Sequence, residues 1–341
     1  MTIRNLQTSD TEVDIIQVQK RMLQAMLDGL DVLLSQKICS RRLKLQVLDM
    51  LDMHQKFCRV WAGHSLEVCS SEAMKRRNTG KSEARAAEKR PLRVTVDLSL
   101  GQTFQTPFQT YLLKWIQKRK DLVQLDCTKL CVTVPCIASI AEVLEMLNHG
   151  SVKELNVRNL WTPFTLVHFA PYLGHMKNLK KLILNNIRVP VSLSLTERKE
   201  LVTQTTFEFL KLLSLEEMYM ESVSFLEDHL DQVLRPEPLR SFLNNLTATL
   251  TTLHLQACGI TDAQVHAFLP TLSNCSQLTT FSYMWNCMSV ATLESLLCHT
   301  ARLSSLSLMY SAPEEVCVSR HGVHQLRQDQ ILDGLRRIML P

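Results

Sequence analysis

The sequence predicts an α/β solenoid of leucine-rich repeats, a horseshoe with a parallel β-sheet on its concave face and helices on its convex face. Three observations predict it. An apolar-x-x-apolar-x-apolar pattern starts at Leu122, Val152, Leu179, Leu215, Leu250, Leu278 and Leu303. Its successive starts lie 30, 27, 36, 35, 28 and 25 residues apart, room for a strand, a turn and a full helix in each unit. Segments of helical periodicity fill the intervals, and a lone strand-helix unit leaves apolar faces open that stacked neighbours bury.

Taken in order, residues 1–70 read as an N-terminal helical, capping region with a first strand over Leu45–Met50. Residues 71–91 read as a basic disordered linker. From Ser70 to Pro91 apolar periodicity is absent and seven Lys/Arg stand against three Glu. Lys75, Arg76 and Arg77 with Lys89 and Arg90 form a candidate nuclear import signal, with a solvated linker as the plain alternative. Residues 92–341 make the solenoid, opening on the alternating Leu92–Leu98.

Among the helices, Ile137, Ile140, Ala141, Leu144 and Leu147 share one face, with Gly150 as the expected stop. Ser194 and Glu197 have capping-box spacing. Further helices follow Ile260 and Met288, and Cys258 and Asn286 take the polar turn position after their strands.

Strand side chains alternate, so the residues between the apolar positions, and the one after them, point out of the sheet. They are Gln124, Asp126 and Thr128, then Glu154, Asn156 and Arg158, then Lys181, Ile183 and Asn185. The series continues with Glu217, Tyr219 and Glu221, with Thr252, His254 and Gln256, and with Thr280, Ser282 and Met284. From Glu154 onward they are the candidate protein-binding surface, with Ile183, Tyr219 and Met284 as anchors.

Other function classes fare worse. A net charge of +5 over 341 residues is too small and dispersed for a dedicated nucleic-acid binder. The 11 cysteines are odd in number and scattered, as expected of a reducing compartment, cytoplasmic, nuclear or both. Neither a signal peptide nor a membrane span is expected. Cys127, Cys131 and Cys136, with His149 beyond, lack the spacing of a zinc site, and small core residues are the expectation. Thr79-Gly80-Lys81-Ser82 has Lys75 where a phosphate-binding loop needs its first glycine. Two LxxLL segments, Leu30–Leu34 and Leu293–Leu297, are expected to pack their leucines in the core. Catalytic groups, metals and cofactors are not expected.

The strings LDGLDVLL (27–34), RRLKLQVLD (41–49), FAPYLGHMKNLKKLIL (169–184), CGITDAQ (258–264) and LPTLSNCSQLTTFSYMWN (269–286) resemble the PRAME family of leucine-rich-repeat proteins. The resemblance implies a horseshoe without a catalytic centre. It implies substrate receptors of cullin-2 ubiquitin ligases that act through elongin B and C. It further implies repression of transcription, notably at a nuclear receptor for retinoic acid, favouring proliferation over differentiation and apoptosis. The chain departs from the family pattern in the short stretch before Leu27, at a join over Leu234–Pro238, and in its last residues, LRRIMLP. With the N-terminal region abbreviated, the alternative expectation is a binding module or corepressor that recruits no ligase.

Overall fold

The computed structural model describes residues 21–34, 45–51, 91–101, 107–134, 136–158, 161–187, 194, 196–197, 200, 208–223, 237–286, 288–311, 317–319, 322–323 and 333. The chain divides into two compact units, residues 1–97 with 104–127, and residues 98–103 with 128–341. It is α/β, and its two larger sheets are assembled from parallel pairs.

In the first unit, β1 (Val47–Asp49), β2 (Leu92–Thr95) and β4 (Val123–Asp126) lie side by side in parallel. Helix α1 (residues 21–34) buries Leu23, Leu27 and Leu30, which fall on one face at three- and four-residue spacing. Its Asp31 accepts a hydrogen bond from Trp115 Nε1 at 3.0 Å, at the end of α2 (Pro107–Gln117), and forms an ion pair with Arg119. That tie turns Val32 and Leu33 outward, 62% and 39% exposed, so the first LxxLL segment does not pack all its leucines as expected. The second does: Leu293 and Leu296 are fully buried and Leu297 nearly so.

The second unit carries an eight-stranded parallel sheet laid down in chain order. Its strands are β3 (Leu98–Leu100), β5 (Lys129–Val132), β7 (Glu154–Val157), β8 (Lys181–Ile187), β9 (Glu217–Val223), β10 (Thr252–Gln256), β11 (Thr280–Tyr283) and β12 (Ser307–Tyr310). A two-residue strand, β6 (Leu147–Asn148), precedes β7, and β13 (Cys317–Ser319) pairs antiparallel with β14 (Gly322–Val323) beyond the sheet. Between strands run α3 (Ala141–Met146), α4 (Pro163–Gly174), α5 (Glu237–Leu246), α6 (Asp262–Leu272) and α7 (Val290–Thr300). Helix α5 packs on α6 and α6 on α7, with Thr271 Oγ1 bonded to Asn244 Oδ1 at 2.9 Å across the first seam.

Two backbone features recur from strand to strand. At the entry, one carbonyl accepts two successive N–H groups of the next strand. Thr128 O takes Lys153 and Glu154, Lys153 O takes Lys180 and Lys181, Lys180 O takes Glu216 and Glu217, and Glu216 O takes Thr251 and Thr252. At the exit, Asn186, Ser222, Ala257 and Trp285 all stand in the left-handed region, with φ of 58°, 54°, 49° and 62°. Equivalent positions in β8 to β11 thus bend alike, although only an asparagine among them favours that conformation.

The core lies beneath the sheet. Trp161 is fully buried, donates to Val134 O at 2.7 Å and meets Phe169 edge-on at 5.4 Å. Buried Tyr283 donates its hydroxyl to Ile260 O at 2.7 Å. The capping box at Ser194 and Glu197 forms, the Ser194 N–H donating to the carboxylate at 2.8 Å. Helix α3 stops earlier than Gly150 suggested. The chain turns extended at Leu147 (φ −76°, ψ 133°), whose buried side chain, not the glycine, ends the helix. Ile137, Ile140, Leu144 and Leu147 are nevertheless all buried.

Candidate protein-binding face

Strand register sorts the outward residues of the second unit into three rows that cross the strands. The entry row is Lys129, Glu154, Lys181, Glu217, Thr252, Thr280 and Ser307. The middle row is Cys131, Asn156, Ile183, Tyr219, His254, Ser282 and Met309. In the exit row, Asn185 pairs with Glu221 and Glu221 with Gln256. Arg158 and Met284, each one residue past the last pair of its strand, extend that row at its ends.

The rows differ in how far they satisfy themselves. The entry row is bridged by ion pairs, Lys129 with Glu154 at 3.9 Å and Lys181 with Glu217 at 2.8 Å. Lys180 and Glu216, one residue earlier, form another at 2.6 Å. Tyr219 donates its hydroxyl to Glu217 at 3.0 Å, stacks against His254 at 4.6 Å, and has the Lys181 ammonium 4.8 Å from its ring centre. The shared hydrogen bond holds Lys181 above its ordinary pKa and Glu217 below its own. Partial burial pushes the Tyr219 hydroxyl up, helped by its bond to Glu217. Burial also lowers His254, with Lys181 adding to the effect and Glu217 opposing it. These four side chains form one coupled polar-aromatic cluster on β8, β9 and β10.

Two expected surface residues are covered. Asn156 is 9% exposed, its oxygen taken by Arg158 Nε at 3.1 Å. Ser282 is 2% exposed, a small side chain in register between the longer His254 and Met309. The rung Gln124, Asp126 and Thr128 is not the first rung of this face. Gln124 and Asp126 lie on β4, in the first unit, where buried Asp126 accepts from Arg93 Nε at 2.7 Å and Gln124 Nε2 at 2.9 Å. The rung beside β7 comes instead from β5, whose Lys129-Leu130-Cys131-Val132 has the alternation but too few leucines to stand out.

Sequence reasoning also passed over Trp285, 67% exposed at the end of β11 and carried on the left-handed turn, with its N–H donating to Ser311 Oγ at 2.7 Å. Directly after it, Asn286 is buried where the repeat pattern puts a polar turn residue. Its oxygen accepts from Cys258 N at 2.9 Å and Ile260 N at 3.4 Å. Its amide donates to Leu255 O at 2.6 Å and Met284 O at 3.3 Å. One side chain thus sews the exits of β10 and β11 together.

The remaining candidates do not converge. Cys127 is buried, Cys131 half-buried and Cys136 exposed. His149 stands beside Tyr172 and His175, with ring centres 5.7 and 5.9 Å away, and burial lowers its pKa, as does His175. Among the described residues, three or more His, Cys, Asp or Glu are nowhere grouped as a metal site would need. Nor is any described helix long and apolar enough to cross a membrane. The basic residues Lys75, Arg76, Arg77, Lys89 and Arg90, Thr79–Ser82 and the C-terminal LRRIML lie outside the described residues.

Comparison with known proteins joins these features to a family. The PRAME N-terminal domain matches residues 14–58. The PRAME C-terminal domain matches twice, over residues 92–236 and 235–340. The two matches meet where the sequence shows its join. Human PRAME family member 12 is 39% identical over 342 residues, covering 86% of this chain and 70% of the relative. Human PRAME family member 20 is 39% identical over 352 residues, with 87% and 74% covered. Human PRAME family member 8 is 38% identical over 341 residues, with 86% and 72% covered. The chain belongs to the PRAME family.

Proposed function

We propose that this protein is a non-enzymatic, leucine-rich-repeat interaction scaffold whose second unit forms a solenoid, with the three-row face on its concave side as the partner-binding surface. The observation that carries the reading is the register. Seven of the eight parallel strands, in chain order, align outward polar, aromatic and aliphatic residues into continuous rows, with Ile183, Tyr219 and Met284 among them. An aromatic flanked by polar side chains on a rigid sheet supplies contact area at little conformational cost. Residues 1–70 as a capping region and residues 71–91 as a basic linker carrying a nuclear import signal belong to the same proposal.

On the family's pattern, the scaffold recruits a target to a cullin-2 ubiquitin ligase through elongin B and C and represses transcription, with a cytoplasmic and/or nuclear location for this chain belonging to the same proposal. Purified chain mixed with elongin B, elongin C and cullin-2 tests this on a sizing column. Co-elution is the expected result. Separate elution of a folded chain would sink the ligase role and leave a binding module or corepressor that acts through the same face.

A further inference from the structure

The exit row differs from the entry row in being unspent. Glu221 is exposed and forms no ion pair among the described residues. The side-chain amides of Asn185 and Gln256, on either side of it, make no hydrogen bond among the described residues. Arg158 is exposed, and it spends its Nε on Asn156 while its two terminal nitrogens form no ion pair among the described residues. Met284 closes the row beside exposed Trp285, and Met309, on the neighbouring strand, is 39% exposed.

The geometry points to an extended peptide segment as the ligand of this row, laid across the strands, with an acidic, a basic and an apolar residue each about three positions apart. The inference rests on the protein-binding reading above and names the kind of partner. Neighbouring strands are about 4.8 Å apart, so Arg158 and Glu221, two strands apart, are separated by about 10 Å, and Glu221 and Met284 by the same. An extended chain covers about 10 Å in three residues. Arg158 then meets the acid, Glu221 the base, and the Met284–Trp285 corner the apolar side chain.

The two idle amides favour an extended ligand over a helix. Each offers a donor and an acceptor, which complement the free N–H and C=O groups of an extended backbone. A helix has already spent its backbone groups internally and leaves those amides idle. A nucleic-acid strand would bring its phosphates against Glu221, whose charge repels them.

The test is selection from a displayed library of random 12-residue peptides against the full chain and against Arg158→Glu and Glu221→Lys variants, both at exposed positions. A parallel selection uses a library of rigid helical scaffolds. Expected from the wild type are peptides with acid and base three apart and an apolar residue three beyond the base, read in either chain direction. Glu221→Lys should weaken those peptides about tenfold and select an acid in place of the base. Arg158→Glu should exchange the acid for a base at the same spacing. Peptides without that spacing, or identical peptides from all three proteins, would overturn the inference. Binders from the helical library alone, competing with one another on this face, would overturn it while leaving the protein-binding reading intact. Binders that all seat elsewhere, unmoved by Tyr219→Ala and by both charge swaps, would remove that reading as well.

Discussion

The outward face of the second unit has two halves built on one backbone plan and finished with different chemistry. Strands β5 to β9 carry Lys129, Glu154, Arg158, Lys181, Glu217 and Glu221 there. Strands β10 to β12 carry no Asp, Glu, Lys or Arg in their rows, only hydroxyls, Gln256, His254 and methionines. In the charged half, the entry row satisfies itself on the surface, Lys181 with Glu217 and Lys129 with Glu154, while its exit row does not among the described residues. In the uncharged half the decisive polar contacts are internal, through Asn286 and the Tyr283 hydroxyl. Surface ion pairs stabilise weakly and respond to salt, whereas a fully bonded buried amide is expensive to disturb. The uncharged half thus gains its order from below, and the charged half from its surface entry row.

The largest break in that comparison is Asn286→Ala. It leaves the buried N–H groups of Cys258 and Ile260 and the carbonyl of Leu255 without this partner. An unsatisfied buried polar group costs about 1–3 kcal/mol, so the expected loss is about 3 kcal/mol once relaxation is allowed for. Urea denaturation should show it at low and at high salt alike. A loss under about 1 kcal/mol would mean that the β10–β11 exit does not depend on this amide.

Next in size, and opposite in sign, is Trp285→Gly. A bulky side chain at φ 62° is strained, and at 67% exposure the indole gains little from burial. Glycine relieves the strain but frees the unfolded chain, so a net gain of up to about 1 kcal/mol in unfolding free energy is expected. Asn186→Gly at the matching position of β8 should change stability less, because asparagine tolerates the left-handed region. If Trp285→Gly is stabilising yet weakens peptide binding, the strain is retained for contact, the trade-off that binding surfaces often show. Equal effects at both positions would remove the special standing of Trp285.

How much of this was legible depends on the interaction involved. The pattern starts at Val152, Leu179, Leu215, Leu250 and Leu278 led to real strands, because their apolar alternation is a local consequence of burial on one side. The outward series from Glu154 to Met284 falls on aligned rows, but the start at Leu303 is two residues early, since Ser307 and not Ser305 pairs with Thr280. The start at Leu122 misled for a physical reason. Val123–Asp126 is a genuine strand of that pattern, but it pairs with β2, which pairs in turn with β1, a choice of sheet that the local alternation does not encode. The Glu217–Tyr219–His254 cluster required knowing which strands are adjacent. The exposure of Trp285 arises from a backbone bend that no composition rule assigns to tryptophan.

The smallest effect sharpens the comparison through pH and salt. Burial holds the folded-state pKa of His254 below its ordinary 6.5, so the unfolded chain binds the proton more tightly. Stability should therefore fall as pH drops through 6.5 toward the depressed folded value. Glu217, also depressed, adds a second loss that starts near its ordinary 4.5 and continues as pH falls through its lower folded value. Both groups are partly exposed, so each contribution should stay within roughly 0.2–1 kcal/mol and shrink in salt. Unfolding free energies between about pH 2.5 and 8 should be flatter near pH 6 for His254→Gln and below about pH 4.5 for Glu217→Gln. Salt of about 0.5 M should shrink the Glu217 step, which is held by an ion pair, more than the His254 step, which is held by burial. If both steps faded equally in salt, His254 would be governed by the charges on β8 and β9, and the boundary between the halves would lie beyond β10.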